Sequence, residues 1–512
     1  MRMHNAEINK RWARALAIAL VLSLVLVACG MPAQDEYDPT EPYFIPPAHE
    51  QLDTLVLPFA QRDVLNPFHA STEVNLLLAP LVWESLFATD ATHYPQPVLA
   101  ESFEQSSPTT LLITLRERTF HNGNAVMAAD VVYSFNRARD SANFAARLSN
   151  IGSMRAVGGQ VEVNLRLPDV FAAANLNFSI VPANSAGAAP LRQAVGGYHF
   201  TLANTPVGTG IYALAQDDDG AFYLRHDDNH PAPAITSIHL HGVSQAAALL
   251  HGVEVGSYHL AYDDLAGGDV PTVAAASHRV STTTLVFLGI NSRRGQLQRD
   301  DVRAALADAL NVPRVMNDGF AAFAEPTSTP FPQNWHALQG EDTARVFDAQ
   351  QARQAIDEAG LANPSFDLVI YRYNAAMVNT AGSIRTQLQA VGVEINLVVL
   401  DRDDYERALR NGNFDLYLGQ VRLTPGLSLA PLLSYGGAAT TGVNVWGAAA
   451  TAYTQFRLGA ITPAEFNEAF WAEVPFIPLG YRMGLVAAAR GLNMPQHLRR
   501  SNLFADISMW SF

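Results

Sequence analysis

The residues of this chain that could carry chemistry are few and poorly grouped. Gly208-Thr209-Gly210-Ile211-Tyr212-Ala213, with Asp227 and Asp228 downstream, imitates a dinucleotide fingerprint. That fingerprint needs a helix opening directly after the glycines, so that its N-terminus can receive a pyrophosphate. Here Ile211 to Leu214, the turn Asp218-Asp219-Gly220 and Ala221 to His226 spell a hairpin, and the glycines are expected to form a tight turn. His49-Glu50 lacks a second histidine at helical spacing and no Gly-x-Ser-x-Gly elbow occurs, so zinc-protease and esterase chemistry find no support. His239 and His241 share one face of an expected strand, where a solvated surface is the expected reading and a metal pair the alternative. Lys10 is the sole lysine, which removes Schiff-base, P-loop and lysine general-base mechanisms. With one cysteine, Cys29, disulfides and cysteine-based zinc sites are excluded as well.

Cys29 has a different chemistry available. Arg2, Lys10, Arg11 and Arg14 precede an apolar run of 13 residues, Ala15 to Val27, against the ~20 needed to cross a bilayer. This is the layout of a secretory signal, 1–28, and its end, Leu26-Val27-Ala28-Cys29, resembles the bacterial lipobox. The resemblance implies a diacylglyceryl thioether on Cys29 and cleavage before it. Multiple acyl chains tether a protein stably without a membrane-spanning helix. Residues 29–50, with five prolines and no hydrophobic periodicity, are expected to be a flexible spacer.

The remaining chain of this 512-residue protein is 49% hydrophobic and only 16% charged, enough to fill real cores. A net charge of −15 with no basic stripe argues against nucleic acid as a partner. Strands are expected at Thr54 to Phe59 and Leu111 to Leu115, helices at Val74 to Trp83 and Ala128 to Arg139, and a strand-rich stretch over 157–283. The C-terminal half changes character. Helices are expected at Asp301 to Leu310, after the cap Asp348, at Thr380 to Val391 and at Asp403 to Arg410; strands at Phe366 to Tyr371, Val393 to Leu400 and Phe414 to Gly419. That alternation predicts parallel pairing and an α/β lobe whose ligands sit beyond the carboxyl ends of the strands.

Several segments occur in the order and near the spacing of one family. They are Leu65-Asn66-Pro67-Phe68, Leu99 to Phe103, Leu115-Arg116-Glu117, Phe120-His121-Asn122-Gly123, Ala129 to Phe135, Pro206 to Tyr212, Asn291, Val302 to Leu306, Ala352 to Leu361, Gln387-Leu388 with Gly392, and Phe414-Asp415-Leu416. Together they resemble the large extracellular solute-binding proteins of peptide and nickel ABC importers over residues 52–490. The resemblance implies an α/β, two-lobed clamp of the periplasmic-binding-protein type with an extra small domain in the first lobe, closing on its ligand by hinge motion. It places the main domain of the first lobe at 51–85, 198–284 and 480–512, the inserted domain at 86–197 and the second lobe at 285–479. The chain is expected to cross between lobes near Val286 to Asn291 and Phe476 to Tyr481. It further implies a monomer outside the cytoplasm, tethered to the cell membrane, with an ABC permease as partner, a short peptide or similar solute as ligand, no cofactor and no catalytic residue. A metal or metal-chelate receptor is the alternative.

The departures bear on the ligand. Peptide-binding members carry an aspartate after a glycine-tryptophan pair to hold the peptide's ammonium, whereas this chain reads Gly419-Gln420-Val421-Arg422-Leu423. Leucine cannot neutralise a buried ammonium. Arg422 beside it suits a carboxylate, by a bidentate contact, or else, as Arg372 also does, a surface or inter-lobe ion pair. Arg372, just before Tyr373-Asn374, lies one position from an arginine that binds the peptide carboxylate in some dipeptide-binding relatives. Tyr371, Tyr373 and Trp446 either line the cleft or pack in a core, and Asn444 reads as a ligand contact or a turn residue.

Overall fold

The computed structural model describes residues 53–183, 206–217, 222–244, 249–341, 345–361 and 363–512; the expected signal, Cys29, the spacer and the turn at 218–220 lie outside the described residues. Thr54–Ala60 (β1) buries Leu55 and Leu57 to Phe59 and leads into helix Glu73–Val82 (α1). An antiparallel sheet follows, built from Ala100–Ser107 (β2), Thr110–Leu115 (β3), Ile151–Val157 (β4) and Gln160–Leu165 (β5) in the order β2-β3-β5-β4. Helix Ala128–Arg139 (α2) covers it with Val131, Phe135 and Ala138. Tyr212–Gln216 (β6), Phe222–His226 (β7) and Ser237–Val243 (β8) complete a second sheet, in which β8 pairs with β1 in parallel and β6 with β7 as the expected hairpin. Both sheets share one hydrophobic core.

Leu260–Asp263 (β9) and the 15-residue strand Ala276–Ile290 (β10) then open an eight-stranded sheet. Helices Asp300–Asp308 (α3), Val312–Phe320 (α4) and Ala349–Glu358 (α5) precede strand Ser365–Tyr371 (β11). The alternation continues through Ala375–Ala390 (α6), Glu394–Leu400 (β12), Arg402–Asn411 (α7) and Leu416–Arg422 (β13). As the alternation predicts, β11 pairs in parallel with both β12 and β13. Helix α6 starts five residues earlier than the periodicity suggests because Asn374 caps it: its side chain accepts a hydrogen bond from the Met377 N–H at 3.0 Å.

Helices Ala448–Arg457 (α8) and Pro463–Glu473 (α9) lead to Phe476–Ala488 (β14), a strand buried at every position, and the chain closes through Leu498–Arg499 (β15). Two further cores flank the sheet, one of aliphatic residues beneath α3 to α6 and one rich in aromatics around Phe331, Trp335, Phe456, Phe466 and Phe470. Strands β10 and β14 pair antiparallel and run from the first core into these two. The change of core falls between Val280 and Leu285 on one strand and between Tyr481 and Val486 on the other, slightly nearer the first core than the sequence suggests.

The resemblance motifs act as fasteners. The backbone N–H of Gly208 donates to Nδ1 of His121 at 3.3 Å, while His121 Nε2 meets the Gly210 carbonyl at 2.8 Å, so two segments far apart in sequence are tied through one neutral ring. Burial depresses that ring's pKa, which favours the neutral form this arrangement requires. A Cβ on Gly208 would lie 1.8 Å from the Val82 carbonyl oxygen, which accounts for the glycine without any phosphate. Arg303, only 2% exposed, donates from Nε to the carbonyls of Glu473 and Val474 and from Nη1 to that of Leu297, securing the turn between α9 and β14. Arg303→Met leaves those carbonyls without donors and is expected to lower stability by about 2–4 kcal/mol, read as a lower guanidinium midpoint. A midpoint within error of the parent would show that water replaces the guanidinium.

Candidate functional site

A cavity of about 610 Å³ opens where the first core faces the other two, within the ~300–1,000 Å³ range of small-molecule sites. Its floor is a break in the β10–β14 ladder. The register shifts between Val280 and Thr284, and the freed residues Ser281, Thr282 and Thr283 turn to the cavity. Each is tied elsewhere: Thr282 Oγ1 donates to the Arg482 carbonyl, and Thr283 Oγ1 to the Leu423 carbonyl at 2.7 Å. The floor is widened by β15, which pairs with β10 as Val280 with Leu498 and Ser281 with Arg499, and by the Arg500 N–H, which donates to the Ser281 carbonyl at 3.0 Å.

One wall comes from the first core: Glu73, Leu76, Leu77 and Pro80 of α1, then Asn143, Phe144, Arg147, Asn177 and Ser179. Opposite lies the segment Arg422 to Pro425, at the carboxyl end of β13, where ligands of such sheets are expected. Leu423 is buried and contributes no charge. Arg422 lines the cavity and pairs with Asp264 at 2.8 Å, a carboxylate that Arg482 shares at 3.3 Å. The ion pair expected of Arg422 is thus present, with Asp264 as its partner. Glu73 pairs with Arg500. His93, also on the cavity, has its pKa pushed down to about 4, by burial first, and stays neutral near pH 7.

The other sequence candidates do not line this cavity. Arg372 is exposed, Tyr373 is 67% exposed and leans edge-on against Tyr371, and Asn374 has both ends of its amide engaged, as helix cap and as donor to the Ala266 carbonyl at 3.0 Å. Asn444 makes a turn, accepting from the Trp446 N–H at 3.2 Å. That turn throws Trp446 outward: it is 77% exposed and rests on the equally exposed Tyr435, ring centroids 5.7 Å apart, so it neither packs in a core nor faces the cavity. The residues sequence reasoning missed are Arg147, Arg499 and Arg500. The adjacent pair Arg499-Arg500 near the C-terminus was the available signal; Arg147 had none.

Away from the floor, the walls meet at a rim. Asp169 and Arg457 form a buried ion pair at 2.7 Å, and Arg457 Nη1 also donates to the Gly426 carbonyl at 2.7 Å. Asn175 accepts from the Gly426 N–H at 3.0 Å, and Phe171 inserts between Trp335 and Phe456 beneath the Arg457 guanidinium. A Cβ on Gly426 would come within 2.9 Å of the Phe171 carbonyl oxygen, so the approach needs glycine there. The Ala91 and Thr92 carbonyls accept from Asn334 and from the His336 N–H.

Residues 94–439 match the family model described as bacterial extracellular solute-binding proteins, family 5 middle. A Brucella ovis protein named as an ABC transporter peptide-binding protein is 25% identical over 325 residues, covering 60% of this chain and 60% of its own length. The match thus spans less than two thirds of that relative's length. The glutathione-binding protein GsiB of Shigella boydii is 24% identical over 371 residues, 68% of this chain and 70% of that one. The unliganded open form of the periplasmic murein tripeptide binding protein MppA superposes with a TM-score of 0.71 at 16% identity, covering 90% of this chain and 98% of that one. The architecture is therefore the two-lobed clamp of that fold.

The rim bridge predicts a variant phenotype. Asp169→Asn leaves Arg457 buried without its counter-charge and is expected to weaken the bridged arrangement by about 3–5 kcal/mol. Small-angle scattering should then report a larger radius of gyration. An unchanged profile would show that the aromatic insertion alone holds the rim.

Proposed function

The chain belongs to the bacterial extracellular solute-binding proteins of family 5, and from that premise we propose that it is the substrate-binding component of an ABC importer, capturing short peptides or similar small solutes between its lobes. The observation that carries this reading is the cavity itself. It lies between separate cores joined by paired strands at its floor and, elsewhere, by the buried pair of Asp169 and Arg457. A ligand that contacts both walls favours the closed arrangement by its differential affinity, and loss of the rim contacts releases it. The names of the relatives, peptide-binding and glutathione-binding, support a peptide-like ligand. The reading includes a permease as partner, a monomeric carrier, and work outside the cytoplasm with a lipid on Cys29 as tether.

Two measurements test it. Short peptides at a hundredfold excess over Kd should stabilise the purified chain by about 2.7 kcal/mol and raise its melting temperature. If nickel chelates raise it and peptides do not, the receptor is of the metal-chelate kind. Cys29→Ala should abolish incorporation of labelled fatty acid in the producing cell; continued labelling would remove the tether at that residue.

A further inference from the structure

Resting on the solute-binding reading, we propose that the cavity selects an anionic ligand, a short peptide or related solute with more carboxylates than ammonium groups, held by Arg147 and Arg499. The whole chain carries −15, yet the cavity wall concentrates the opposite sign: four guanidiniums, Arg147, Arg422, Arg499 and Arg500, against the carboxylates of Glu73 and Glu325. Two of the four are already matched, Arg500 by Glu73 and Arg422 by the Asp264 it shares with Arg482.

The other two have no carboxylate within ion-pair distance among the described residues. Arg147 donates from Nη1 to Asn177 Oδ1 at 2.7 Å and from Nη2 to the Asn143 carbonyl at 3.4 Å, and it lies 4.9 Å from the centre of the Phe144 ring. All its protein partners are neutral. They fix the plane of the guanidinium without cancelling its charge. Burial, and then the nearby charge of Arg500, pull its pKa down to about 10, the sign of a cation whose surroundings lack an anion. Arg499 is anchored through its backbone to Ser281 on the floor, and its buried Nε has no hydrogen-bond partner among the described residues. A buried donor without an acceptor is costly.

A planar guanidinium fork matches a carboxylate bidentately. An ammonium finds the reverse: Leu423 on the cavity wall carries no charge, and four guanidiniums face two carboxylates there. Field focusing by low-dielectric walls enlarges this preference over what the same charges would produce on an open surface.

The test uses the full chain in detergent, dialysed free of bound solute. It is offered a casein digest separated by ion exchange into acidic, neutral and basic pools, and citrate as a non-peptide polycarboxylate. Retained molecules are identified by native mass spectrometry and affinities measured by calorimetry. The acidic pool should be retained at least about tenfold more tightly than the others, with affinity falling as salt rises. Arg147→Gln and Arg499→Gln should each weaken a retained acidic peptide by about 10- to 100-fold. Because Arg499 Nε has no partner to lose, Arg499→Gln keeps the test valid if Arg147→Gln fails to fold. Retention of neutral or basic peptides as tightly as acidic ones overturns the anion site and leaves the peptide receptor standing. Stabilisation by citrate with no peptide retained keeps the anion site and overturns the peptide reading. No response to any pool or to citrate overturns both.

Discussion

Strands β10 and β14 are hydrogen-bonded to each other through both halves of the molecule, and every side chain of β14 is buried. This shared ladder forces the first core and the flanking cores of the large sheet to meet at a fixed line. It cannot be continuous, because a ladder paired without interruption would be a stiff plank. The irregularity between Val280 and Thr284 resolves the conflict: three residues leave the register, and their hydroxyls and carbonyls are taken up by Arg482, Leu423 and Arg500. The cavity floor is thus made of backbone released from a sheet, which is why it is polar in the midst of apolar cores.

From that line the electrostatics follow. Segments that reach the floor arrive from distant parts of the chain, and two of them bring three arginines: β13 ends on Arg422, and β15 with its next residue presents Arg499 and Arg500. Buried cations are tolerated where hydrogen bonding is complete or where a partner is expected to come from outside. Arg303 and Arg457 are of the first kind: Arg303 meets three backbone carbonyls and Asp300, and Arg457 meets the Gly426 carbonyl and Asp169. Arg147 and Arg499 are of the second.

Much of the fold was legible because its signals are local. Periodicity located α2 with the same ends the structure shows, Asp348 announced the start of α5, and alternation of strand and helix specified the parallel pairs of β11. Among the residues of the motifs that marked the family, His121, Gly208, Gly210 and Arg303 secure backbone and do not line the cavity. The site was legible only at Arg422, which follows a strand end. Arg499 is placed by its pairing with Ser281 far away in sequence, and Arg147 by hydrogen bonds to Asn143 and Asn177, for neither of which a single sequence has a periodicity to read. Asn374 misled for a physical reason: the amide that suits a ligand contact also suits a helix cap, and the cap won. Trp446 misled because the turn set by Asn444 outweighs the usual preference of tryptophan for a core.

The rim pair of Asp169 and Arg457 has a consequence in time as well as in equilibrium. Two desolvated charges separate only through a state in which each has lost its partner before water has fully replaced it, so the barrier to opening exceeds the net free energy of the contact. If the proposed solute-binding role holds, release from the cavity follows a schedule governed by dissociation, and residence time can vary where affinity need not. The ion pair of Asp169 and Arg457 would then act on how long a solute stays, apart from how tightly it is held.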